Sequence, residues 1–407
     1  MQNRCLNYTK FLNNVIILFI AYQFCINPIL KYFEYVHSGL RHNSTLFVIF
    51  FAICILFLFA NKLLSRKYTY VEIYGIYTLL LIIAYQLLMF PFVRGYIMNG
   101  DEVYLKTISS TIINAFVYAI VGYRLKSFFF RNNFRRLICF LWCCYSLVVL
   151  YYTLTNDDGF YLIMNEARIY LMLADTYTIL SIFFITSSRS LRLQFLIFLG
   201  CLPVLFSLLS RTSLYLFFLV FIIYFFVRKR KYIIILLLSL ILACVCVLSY
   251  WNIDWDLVIH NRMLKYIFTG EDNSMSDRAI LFQKGLLAIK EYWFIGDFMG
   301  DVRDNGHTGG YIHNGLSLWR QYGIIPFILL LLLLLGSYLK ILILFFKTKR
   351  DSFVDFTFVF ATFILLELLT ARSFIFTSFC AKDKISGTSG TICTKYSLIP
   401  SVYRKCA

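Results

Sequence analysis

The sequence predicts an all-α fold: a polytopic transmembrane helix bundle of 11–12 spans, with one long external loop containing a short amphipathic helix. Three observations lead there. Hydrophobic residues make up 60% of the 407 residues and charged residues 15%, against roughly 45–50% and 25% in soluble domains. Mean hydropathy is +0.74, more apolar surface than one aqueous core can bury. The apolar residues also recur in runs of ~17–20, enough at about 1.5 Å per residue to cross a hydrocarbon core of about 30 Å. The formal net charge of +18 would suggest nucleic acid in a soluble chain. Here the bases lie between hydrophobic runs, where they orient spans, so no nucleic-acid partner is expected. The 12 cysteines sit mostly inside apolar runs without Cys-x-x-Cys spacing, which excludes a disulfide scaffold or zinc finger.

Eleven spans are expected, near residues 11–30, 45–60, 71–93, 107–123, 137–154, 169–187, 193–210, 213–227, 232–250, 324–339 and 353–370. The first is too long for a signal-peptide core and lacks a small-x-small cleavage site. Arg4 and Lys10 before it place the N-terminus on the cytoplasmic side. Alternate connections then carry Lys62, Arg66 and Lys67; Arg124, Lys126, Arg131, Arg135 and Arg136; Arg189 and Arg192; Arg228 to Lys231; and Lys340, Lys347, Lys349 and Arg350. With the N-terminus these make 20 bases, against 7 in the short loops of the opposite side. The bias fits the span list and makes the Arg228 to Lys231 run a topology anchor. Residues 1–250 thus hold spans one to nine, 251–323 the external loop, 324–381 spans ten and eleven with a short apolar segment, and 382–407 a polar basic tail. Eleven spans put that tail outside, whereas its bases favour the inside; a twelfth span after Ser373 is the alternative.

Ionisable groups within spans cost about 2.5–3.5 kcal/mol at a helix centre and are functional candidates for that reason. Asp175 lies six residues into its span, about 9 Å deep, and Glu367 lies near the outer end of the last one. Arg94, Arg168, Arg211 and Arg372 flank spans at the same outer surface. Snorkelling arginines or interhelical ion pairs are the competing interpretation.

The external loop opens with Trp251 and Trp255, suited to a membrane interface, and continues into an amphipathic helix. Ser274 and Asp277 suggest a capping box, and Ala279, Phe282, Leu286, Ile289 and Trp293 form one apolar face. Arg278 then falls in the first turn, where backbone amides and a guanidinium together suit a phosphate, or where it is simply solvated. Asp301-x-Arg303-x-Asn305-Gly306 starts like a calcium loop, but Arg303 takes a ligand position and Ile312 the place of the terminal Glu, so no calcium site is expected. No zinc site is expected from His307 and His313. His313, in Tyr-Ile-His-Asn-Gly leading into a span, is placed either to move a proton near neutral pH or to cap a helix.

Ser210-Arg211-Thr212 between close spans, Asp277-Arg278 before a helix ending KEYWFIGDFMG, and YIHNGLSLWRQYGIIPF entering a span resemble the O-antigen polymerase and O-antigen ligase family of bacterial membrane glycosyltransferases. NEARIYLMLADTYTI, around Arg168 and Asp175, is similar to that family's mid-chain segment. The likeness covers the topology and roughly residues 165–330; the tail after Ser373 departs from it. The resemblance implies a multi-pass enzyme of the bacterial cytoplasmic membrane, needing no metal or cofactor. Its donor and acceptor are polyprenyl-diphosphate-linked glycans, and membrane lipids, a chain-length regulator and a flippase are its implied partners. It implies Arg211 and Arg278, then Arg168 and Arg372, as diphosphate ligands, and His313 as the base, with Asp175 or Glu367 in that role or orienting an arginine. The loop's nine acids against seven bases would repel a phosphorylated lipid A core, which favours polymerase over ligase. A lipid-linked oligosaccharide flippase or other transporter stays open as another class.

Overall fold

The computed structural model describes residues 2–36, 50–55, 70–94, 117–155 except 119 and 123, 170–228 except 189, 273–305, and 312–370 except 313, 349 and 350. Regular structure among these residues is helical throughout. The elements are α1 (Gln2–Ala21), a π-helical turn (Tyr22–Ile26), α2 (Asn27–Val36), α3 (Tyr70–Arg94), α4 (Asn132–Thr155), α5 (Tyr170–Ser187), α6 (Leu191–Ser207), α7 (Arg211–Arg228), α8 (Asn273–Glu291), α9 (Gly300–Asn305), α10 (Leu316–Tyr322), α11 (Ile324–Lys347) and α12 (Ser352–Thr370). Residues 50–55 and most of 117–129 are helical as well. The spans expected at 11–30, 71–93, 137–154, 169–187, 193–210, 213–227, 324–339 and 353–370 are thus helices. Those at 45–60 and 107–123 are described in part, and 232–250 lies outside the described residues, as do 156–169 and 371–407. Five helices (Lys10–Lys31, Asn132–Thr155, Arg211–Arg228, Ile324–Lys347 and Ser352–Thr370) are long and apolar enough to cross a bilayer. The chain is an all-α, multi-pass membrane protein.

Two helices form the centre. Of the spanning window in α12, 78% is buried, against 22% in the more apolar α11, so α11 lies at the periphery with one face outward. The other central helix, α5, packs against α4, α6, α7 and α12. A helix apolar on all sides is one surrounded on all sides. Aromatic rings supply much of the contact: Phe183 stacks on Phe356 at 4.4 Å between α5 and α12, and Phe345 on Phe358 at 3.9 Å between α11 and α12. The threonine hydroxyls along α5 cost little because each has a partner in its own helix. Thr176 donates to the Met172 carbonyl at 2.8 Å, Thr178 to Ala174 at 2.8 Å and Thr186 to Ile182 at 2.6 Å.

Arg124, Lys126 and Arg228 lie at one end of the bundle, called here the Arg228 end. Arg124 donates through Nε and Nη2 to Asn13 Oδ1, at 3.1 and 2.9 Å, and Lys126 lies 5.8 Å from the centre of the Phe353 ring. The expectation that intramembrane acids gather at the opposite end does not hold for Asp355. This residue is buried one turn into α12 and pairs with Arg228. The same guanidinium donates to the Thr348 carbonyl at 2.9 Å and lies 4.0 Å over the Phe345 ring. On the carboxylate's other side the Tyr224 hydroxyl donates to Oδ2 at 3.0 Å, and that hydroxyl is also 2.9 Å from Gln194 Oε1. Arg228 is therefore more than a topology signal: it neutralises a carboxylate that desolvation would otherwise forbid.

Removing one partner strands the other. Asp355→Ala alone should destabilise the detergent-solubilised protein by about 3–5 kcal/mol, while Asp355→Leu combined with Arg228→Met should recover most of that loss. Reversible unfolding in mixed micelles measures both. Equal losses in the single and double variants would mean that the pair is not the source of the effect.

Candidate functional site

At the opposite end of the bundle, α6 stops at Ser207 and α7 starts at Arg211, with a turn so tight that Leu209 adopts a left-handed φ of 54°. A non-glycine residue pays about 1–2 kcal/mol for that conformation. The turn brings Ser210 to the α7 N-terminus, where its carbonyl accepts from the Leu214 amide at 3.0 Å. The Ser210 hydroxyl is 2.7 Å from that of Ser213, and Ser213 donates to Asp175 Oδ1 at 2.8 Å. Because the Ser213 proton goes to the carboxylate, the Ser210 proton goes to Ser213, which makes a directed chain of two hydroxyls ending on Asp175. All three side chains are buried. The carboxylate lies at the positive end of the α7 dipole, which favours its charge. Arg211, half-buried, is the first residue of α7. Below this level Tyr145 donates to the Leu173 carbonyl at 3.0 Å and fixes the α5 backbone two residues before Asp175.

The loop closes over this end by main-chain contacts. The Gly315 amide donates to the Leu368 carbonyl at 2.8 Å, next to Glu367, which is fully buried in α12. The chain then turns into α10, with the Leu316 amide bonded to Asn314 Oδ1 at 3.0 Å. On the other side of this segment the buried Ile312 packs against Gly285 of α8. A Cβ at Gly285 would lie 2.1 Å from Ile312 Cγ1, so only glycine admits the approach. α10 and the turn after α8 lock together: Gly296 (φ +88°) and Gly323 (φ +80°) face each other, and a Cβ on Gly323 would lie 2.0 Å from the Phe294 carbonyl oxygen. Asp175, Arg211, Glu367 and, through α8, Arg278 are thus brought to one end. Arg168, His313 and Arg372 lie outside the described residues, as does His307.

Two expectations about α8 are corrected. The helix is described from Asn273 and Ser274 is helical, so Ser274 lies within the helix instead of capping it. Arg278 lies in the second turn, where its amide belongs to the helix ladder, and only its side chain remains for an anion. The covered face is also turned by about one residue. Gly285 and Ile289 are buried, whereas Ala279, Phe282, Leu286 and Trp293 are exposed. The cause is the long-range contact of Ile312 with Gly285, which periodicity within the helix cannot register.

A second polar cluster, absent from the expected site, joins the loop to α10. Arg303 holds Asp297 bidentately, Nη1 to Oδ1 at 3.1 Å and Nη2 to Oδ2 at 3.0 Å, and its Nε donates to Asp304 at 3.0 Å. The buried Arg320 reaches Asp304 Oδ2 at 3.4 Å. Burial pushes the Asp297 carboxyl above its ordinary value, and the facing Arg303 opposes that push. The pairing also explains Arg303 in the Asp301-x-Arg303-x-Asn305 run: it serves as a cation for Asp297. Among the described residues no three His, Cys, Asp or Glu side chains gather as a metal site would require.

Ser213 and Ser210 are the site residues that spacing did not single out; the only signal was their position at a span boundary three residues apart. Ser213→Ala leaves a buried carboxylate short of a donor and should cost about 1–3 kcal/mol, more than Ser210→Ala, in thermal unfolding of the purified protein. The reverse order would place the essential donor elsewhere. No family model matches the chain, and no curated protein matches it.

Proposed function

We propose that the chain is a membrane glycosyltransferase of the O-antigen polymerase type. It joins polyprenyl-diphosphate-linked oligosaccharide repeat units into O-antigen or a related surface polysaccharide at the outer face of the bacterial cytoplasmic membrane. The observation that carries this reading is the Ser210–Ser213–Asp175 chain at the α7 N-terminus, beside Arg211 and at the end of the bundle closed by the loop. In the proposed reaction an acceptor sugar hydroxyl attacks the anomeric carbon of the donor. The bond from that carbon to the diphosphate oxygen breaks, and the electron pair leaves with polyprenyl diphosphate. Charge grows on the leaving oxygens, which suits Arg211 and the Arg278 side chain, joined by Arg168 and Arg372, because guanidinium meets phosphate bidentately and stays charged. His313 takes the acceptor proton. Asp175 is engaged by Ser213, which suits it to orient the Arg211 turn more than to act as base; in this proposal Glu367, which adjoins the Leu368 carbonyl bonded by Gly315, assists His313. A ligase shares the chemistry and differs in acceptor.

On this reading Arg211→Lys and Arg278→Lys should each impair polymer formation, since an ammonium cannot reproduce the planar fork, whereas Arg230→Ala should be silent. Full activity of Arg211→Ala and Arg278→Ala at normal protein levels sinks the assignment. His313→Ala should lower turnover by about 10²–10⁴-fold with donor binding retained. Deletion of the gene should leave envelope glycan capped with a single repeat unit. Loss of all attached glycan with accumulation of long lipid-linked polymer identifies a ligase, and accumulation of unpolymerised repeat units on the cytoplasmic side identifies a flippase.

A further inference from the structure

The apolar face that α8 carries is mostly left uncovered by protein. Phe282, Leu286 and Trp293 share that face and are 38%, 41% and 56% exposed, and it runs on into Phe294 and Ile295 at 52% and 59%. Only Ile289, at its edge, is covered. The exposed Lys290 stands at the edge of this patch, and the other side of the helix mixes Lys284 and Glu291 with the exposed Ile280 and Leu287; an apolar patch of this size marks an interaction surface.

Its position in the fold identifies the partner. The turn after α8 is locked to the first residue before α11 by the Gly296–Gly323 contact, and Trp319 Nε1 donates to the Trp293 carbonyl at 2.8 Å. Trp319 in turn stacks on Phe327 of α11 at 5.4 Å. The exposed turn therefore stands at the level where a spanning helix enters the bilayer. From there α11 turns Ile325, Ile328 and Leu332 outward, 46%, 44% and 58% exposed, a face that meets lipid in a span of 24 residues. The two exposed surfaces meet at this junction.

We propose that α8 and the 292–295 turn form an interfacial lipid anchor. Phe282, Leu286, Trp293, Phe294 and Ile295 enter the boundary between headgroups and acyl chains of the leaflet at the Arg211 end, with α8 lying along the membrane surface. Lys290, at the edge of the stripe, reaches toward lipid phosphates, and the protein-covered side, with Gly285 and Arg278, is held at headgroup depth. The loop is then a platform on the bilayer, with its polar groups at the height where a lipid-borne phosphate lies. The inference rests on the multi-pass fold and is independent of the transferase reading.

The test uses the full chain in phosphatidylcholine vesicles with and without bromine on the acyl chains. Subtracting the emission of Trp293→Phe isolates Trp293. Brominated lipid should quench that component at least about twofold while aqueous acrylamide barely affects it, as for an interfacial aromatic side chain. Quenching by acrylamide alone means the turn faces water, and protection from both quenchers means a second copy or another protein covers it; either outcome overturns the proposal. Should Trp293→Phe fail to fold, Phe294→Trp adds a reporter at the neighbouring position, read in the same way.

Discussion

In a bilayer a carboxylate persists only where neighbouring helices supply its donors, because no water can. Among the described residues the bundle buries three carboxylates on its central helices, Asp175, Asp355 and Glu367, and two of them, one toward each end, take donors from α7. Asp355 on α12 receives Arg228 and Tyr224 from α7, and Asp175 on α5 receives Ser213 from α7. α7 is thus clamped at both ends, by an ion pair on one side and a neutral hydroxyl on the other. The difference in partner is consequential. The Arg228–Asp355 pair is also cradled by the Phe345 ring and the Thr348 carbonyl, so its charges are spent within the structure. Asp175 takes a neutral hydroxyl from α7 at the end that the loop adjoins.

That loop is secured mainly by backbone. Gly315 to Leu368, Asp297 to the Arg320 carbonyl at 2.6 Å, and the opposed glycines 296 and 323 are contacts of main chain with main chain. Such contacts fix position while leaving side chains available, which suits a segment that carries the functional groups. The Asp297–Arg303–Asp304–Arg320 cluster adds two opposite pairs of charge and so contributes no net field of its own. Any anion affinity at this end has to come from cations that the cluster leaves out.

Most of the bundle was legible because hydrophobic length is a local property. Runs such as 213–227 and 353–370 reappear as helices within a few residues. Glu367 and Asp175 were legible as site candidates for the same reason: an acid in an apolar run stands out. Asp355 stands in an equally apolar run, two residues inside the span expected at 353–370, and was not among the expected site residues. Its partner Arg228 was assigned wholly to topology. What a sequence cannot show is which helix lies opposite. The Ser213 hydroxyl acquires meaning only from α5 beside it, and the buried face of α8 depends on Ile312, 27 positions beyond Gly285. Local periodicity located the apolar stripe of α8 but could not say which part of it protein covers.

The placement of Asp175 also constrains how an anionic substrate is held. A helix N-terminus attracts phosphate through its unpaired amides and dipole, and α7 begins at the right place for that role. Its third residue, Ser213, already carries a carboxylate at 2.8 Å, so the positive end of α7 is largely answered from within, and a diphosphate brought to the same amides would meet that charge. Arg278, the sixth described residue of α8, lies past the first turn of that described stretch, so its own amide is no part of a terminal anion site. Binding at this end therefore falls to guanidinium side chains, which extend past the helix termini and approach phosphate from the loop side. On the transferase reading, the arginines are then the principal electrostatic contact with the leaving group, and Asp175 sets where the first of them stands by pinning the turn from which it projects.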